Sequence, residues 1–73
     1  MNDPAKPITI GDALPPECAR VRRVLKLYHE LGPAGQIGAM LIEKDLAEAD
    51  RAMISGDVVA MIRSYETLKG IEA

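Results

Sequence analysis

The segment GQIGAMLIEKDLAEADRAMISG (35–56) is bounded by glycine at both ends and carries more than one apolar stripe between them. Ala39, Ile42, Leu46, Ala49 and Met53 succeed one another at spacings of three and four, the heptad-like seam of a helix packed against other helices. Small and large side chains alternate along it, so a neighbouring helix can approach closely. A second stripe, Met40, Ala47 and Ile54, lies well round the circumference, and Ile37 and Leu41 add a third apolar patch near the N-terminal end. The opening turns, IGAMLI, are therefore apolar nearly all round, which is more than a lone three-helix unit can cover. Self-association through this helix is the expectation, with a dimer favoured and Ile37, Met40, Leu41, Ala47 and Ile54 as the interface.

Working outward, SGD (55–57) closes this helix and opens the next: Gly56 ends the first, and Asp57 is a natural N-cap for VVAMIRSYETLK. Val58, Met61, Ile62, Tyr65 and Leu68 are predicted to form one face, with Arg63, Ser64, Glu66 and Thr67 opposite. Gly70 stops the helix, and Ile71 is placed to fold back after the cap. So short a connection makes the two helices an antiparallel hairpin.

In the other direction, Gly32 and Pro33 stop a preceding helix that PPE (15–17) opens, since the missing proline N–H groups would be unpaired in a first turn anyway. Cys18, Val21, Val24, Leu25, Leu27, Tyr28 and Leu31 fall on one broad apolar arc, with Arg22, Arg23, Lys26 and His29 on the other side. Residues 1–14 contain Pro4, Pro7 and Gly11 and are predicted to be an extended or disordered arm whose apolar cluster is Ile8, Ile10 and Leu14. The predicted fold is all-α: a three-helix domain over 15–73, with helices at about 16–31, 35–55 and 57–69, preceded by that arm.

Composition narrows the function. Seventy-three residues make one small domain, the size at which an isolated core is marginal. Cys18 is the single cysteine and His29 the single histidine, so neither an internal disulfide nor a zinc site is available, and no metal or cofactor is expected. A net charge of −2 lacks the basic surplus of a nucleic-acid binder. No apolar run approaches a membrane span, the N-terminus lacks the apolar core of a secretory signal, and an unpaired cysteine fits a cytoplasmic protein.

The glycines of GPAGQIG (32–38) match neither the dinucleotide fingerprint nor the phosphate loop of nucleotide-hydrolysing enzymes. They follow a helix rather than a strand, and no Lys-Ser or Lys-Thr pair comes after them. Gly32 suits a helix C-terminus, Gly35 a turn and Gly38 close packing. Cys18 and His29 stand eleven residues apart, about 16 Å along a helix, too far for a thiolate–imidazolium pair. Glu43, Asp45, Glu48 and Asp50 scatter round their helix beside Lys44 and Arg51 rather than converging. Nothing assembles a nucleophile or an acid–base pair, and the chain is expected not to be an enzyme.

The strongest surface signal outside the apolar stripes is basic. Arg20, Arg22, Arg23 and Lys26 give the first helix a local charge of +2 against Glu17 and Glu30, whereas residues 33–73 sum to −3. These four residues are the candidate partner surface, for an acidic protein in the first instance. A small nucleic-acid-binding regulator using the same face is the alternative, although interleaved aromatic residues are missing. The expected role is a non-enzymatic interaction or regulatory module.

The run ISGDVVAMIRSYETLKGI (54–71) resembles the second half of a tetratricopeptide hairpin. A single hairpin is not an array, and the proline that usually follows is absent, so the resemblance does not imply peptide binding. PPECARVRRVL (15–25), taken with residues 32–71, is similar to small helical proteins of bacterial prophages, a group with no activity or site residues to carry over. That resemblance implies a bacterial or phage setting in the cytoplasm.

Overall fold

The computed structural model describes residues 9–73, which form three helices: α1 (Ile10–Glu30), α2 (Gln36–Ser55) and α3 (Val58–Lys69). A short 3-10 turn, Gly32–Gly35, joins α1 to α2. No strand occurs among the described residues, and each helix packs against the other two. The all-α three-helix architecture and the α2–α3 hairpin are as the sequence predicts.

The first helix begins six residues earlier than the predicted residue 16. Residues 1–8 of the expected arm lie outside the described residues, but residues 10–14 are helical rather than extended. Thr9 sets this start. Its backbone is extended, and its Oγ1 accepts a hydrogen bond from the Asp12 amide at 3.2 Å, leaving the Asp12 carboxylate in the first turn. Pro15 and Pro16 therefore lie inside the helix. The carbonyls that would have received their amide protons belong to Gly11 and Asp12, both on exposed residues where water can serve instead. The gain is burial: Leu14 is 0% exposed and continues the stripe of Cys18, Val21, Leu25 and Tyr28.

The core is entirely apolar among the described residues. Leu14, Cys18, Val21 and Val24 come from α1, Ile42, Leu46, Ala49 and Ala52 from α2, and Met61 and Leu68 from α3. Ala39 is buried as well, and Met53 packs partly against this cluster, so the predicted inner seam of α2 faces the core throughout. Ile71 folds back onto it after α3 ends.

Two loops rely on glycine. Gly32 has φ +64°, a left-handed conformation that follows the last turn of α1 at low cost only for a residue without Cβ. Gly35 is buried where a Cβ would collide with the Tyr28 carbonyl oxygen, so the α1–α2 connection closes only on glycine. The segment GPAGQIG is thus the joint between two helices.

α3 has 12 residues against 21 in α1 and 20 in α2. At 1.5 Å per residue it is about 12 Å shorter than its neighbours. It lies beside the N-terminal part of α1 and ends at the level of Arg20, so the last turns of α1 and the first turns of α2 project beyond it as a two-helix tip.

Candidate interaction surface

Met40, Ala47 and Ile54 are seven residues apart and drift only about 20° per step round a straight helix, so they run along one edge of α2. Met40 is 61% and Ile54 is 87% exposed, while Ala47 is half-buried. The edge lies next to α1, and two ion pairs tie it there. His29 Nε2 lies 3.0 Å from Glu43 Oε1, and Arg22 Nη2 donates to Asp50 Oδ1 at 3.2 Å. Lys44 and Arg51 are exposed on the opposite flank of the same edge.

A separate apolar surface covers the projecting tip. Leu27 and Leu31 follow Arg20 by seven and eleven residues, so they share the side of α1 that meets α3, but beyond the end of α3. Ile37 and Leu41 belong to the matching part of α2. All four are exposed, between 48% and 75%. Tyr28 crosses the tip beside them. A Cβ on Gly38 would meet its ring at 2.6 Å, and its hydroxyl donates to the Glu72 carbonyl at 3.4 Å. The five predicted interface residues thus divide: Ile37, Met40 and Leu41 sit near the tip, whereas Ile54 is about 21 Å along the axis from Met40.

Leu27 and Leu31 belong to the broad apolar arc of α1, and Val58 and Ile62 to the apolar face of α3. All four are exposed. For the leucines the reason is the short reach of α3. For Val58 and Ile62 it is that α3 enters the groove on its Met61–Leu68 edge, which leaves these two outside the flanking Tyr65. Together with Val59 and Ile54 they make the bundle apolar at the α2–α3 turn as well.

The four basic residues of α1 do not form one free surface. The Arg20 guanidinium donates twice to Glu17, at 2.8 and 3.1 Å, and also to the carbonyls of Leu68 and Ile71, both at 2.9 Å. It is a clamp, closing the C-terminal end of α3 from across the bundle. The hydrogen bonds from Arg20 hold the Glu17 carboxyl below its ordinary range. Arg22 is paired with Asp50. Among the described residues, Arg23 and Lys26 are the members of the set without an ion pair.

Cys18 is 1% exposed, and burial pushes its thiol pKa up, so it is an inert core side chain held as the thiol. Of the acidic set, Glu43 and Asp50 are tied to α1, while Asp45 and Glu48 line a shallow open groove against α3 with Arg63 and Thr67. No three His, Cys, Asp or Glu side chains come together as a metal-binding group among the described residues. No described helix is long and apolar enough to cross a membrane. No family model, curated protein or solved structure matches the chain.

Proposed function

We propose that this chain is a non-enzymatic interaction module that works as a homodimer formed through α2. The observation that supports this reading is the contrast within one helix. One stripe of α2 fills the core, while Met40 and Ile54 on another edge, and Ile37 and Leu41 at the tip, are left in water. Large apolar side chains exposed along one element are the usual mark of a surface that is covered in use. A domain this small also gains most from association, because its own core buries so little surface. An unpaired, buried Cys18 favours a reducing compartment, and the cytoplasm is the setting proposed.

Sedimentation equilibrium over micromolar concentrations tests the reading. A mass of twice 7.9 kDa is expected, and a 7.9 kDa monomer at every concentration would contradict it.

A further inference from the structure

The outer edge of α2 carries opposite charge on its two flanks. Glu43 and Asp50 stand on the flank next to α1, where His29 and Arg22 engage them. Lys44 and Arg51 each follow by one residue, about 100° further round, and are exposed on the other flank. Met40, Ala47 and Ile54 run between the two flanks. We infer that two copies of the chain associate with their α2 helices parallel and in register, about a two-fold axis running lengthwise between them. This rests on the proposed self-association and fixes its face, direction and register.

The flanks decide the direction. A two-fold axis along the helices turns the partner's edge so that each acidic flank faces a basic one. Glu43 then lies beside the partner's Lys44 and Asp50 beside the partner's Arg51, and the symmetry makes each contact twice. An antiparallel pair keeps like flanks together, with Glu43 beside the partner's Asp50 and Lys44 beside the partner's Arg51, and both contacts repel. Register follows from closure, because a lengthwise two-fold axis sets every residue level with its own copy. Met40, Ala47 and Ile54 therefore each meet themselves across the axis. Their seven-residue spacing is the repeat that a left-handed pair of helices keeps in contact. Ala47, midway along, permits helix axes about 8–10 Å apart.

The charged groups are also free for the task. Glu43 and Asp50 each use one oxygen within the chain, Oε1 toward His29 and Oδ1 toward Arg22, which leaves the other for a cation of the partner. Lys44 and Arg51 have no ion pair among the described residues. Glu48, the next charge round from them, lines the groove against α3 with Arg63. Being exposed at the rim, the four contacts set direction, while Met40 and Ile54 supply the apolar burial.

Mild oxidation of two variants of the full chain tests the arrangement. Met40→Cys and Ile54→Cys are each expected to give a disulfide-linked dimer, because each position meets its own copy. Cys18, sealed in the core, stays out of the reaction in both. In an antiparallel pair centred on Ala47, each new cysteine is about 21 Å from its copy along the axis and stays reduced. A dimer joined at its tips through Leu27, Leu31, Ile37 and Leu41 leaves Ile54→Cys reduced as well. Linking at neither position, or at one alone, overturns the arrangement while a dimeric parent leaves self-association standing; a monomeric parent chain overturns both.

Lys44→Glu/Arg51→Glu provides the second arm, with helical content checked by circular dichroism. Both flanks are then acidic, and the variant is expected to dimerise at least about tenfold more weakly than the parent. Undiminished self-association overturns the inference, since an antiparallel pair would only exchange one repelling flank for another.

Discussion

α2 carries two apolar seams of similar period with opposite fates. Ala39, Ile42, Leu46 and Ala49 lie in the core, whereas Met40 and Ile54 stand in water on either side of Ala47. Hydrophobicity does not separate them. The inner seam is continuous at spacings of three and four, so it offers a side chain to its neighbours at every turn. The outer seam has one apolar position every second turn, with charges between. A dense stripe builds a monomer core; a sparse one bounded by charges of both signs suits a second, reversible contact.

The sharpest contrast should come from truncating core leucines. Leu46→Ala on the inner seam and Leu14→Ala in the early turns of α1 should each lower stability by about 2–5 kcal/mol, measured by urea denaturation. A negligible effect at Leu14 would contradict its place in the core of the bundle.

A smaller effect is expected from Arg20→Ala, which removes the clamp on α3. The melting temperature should fall, and Arg20→Lys should not restore it, because an ammonium cannot reproduce the guanidinium fork. The same contact predicts an acid response. Glu17 has a lowered pKa in the folded chain, so its contribution is fully present above the ordinary glutamate range and is lost as pH falls through the lowered value. Melting temperature against pH should therefore be flatter for Glu17→Gln on the acid side. An unchanged profile would show that the pair adds nothing to stability.

Much of this fold is legible in the sequence. The inner seam of α2, the Gly56–Asp57 boundary and the stop at Gly32 are local signals, and each holds because nothing distant competes with it. The Asp57 side chain accepts the Ala60 amide, as an N-cap should. The start of α1 is harder because two signals conflict. The proline pair looks like a first turn, yet Thr9 and Asp12 form a cap upstream, and Leu14 keeps phase with Cys18 and Val21. The residues with surface roles are less legible still. Arg20 bonds to carbonyls 48 and 51 residues away, which no local pattern encodes. The exposure of Leu27 and Leu31 depends on where a different helix ends. The shortness of α3 was visible, but its alignment with the N-terminal part of α1 was not.

The smallest effect on the fold itself, and the most direct test of the outer seam, is expected for Ile54→Lys. This residue is 87% exposed, so the dilute chain should keep its helical content and its melting temperature. Thermal melts across a hundredfold range of concentration then decide the matter, since association with the folded state alone raises the midpoint as concentration rises. The account predicts a midpoint that climbs with concentration for the parent chain and stays flat for Ile54→Lys; midpoints that are flat for both, or climb equally for both, would contradict it.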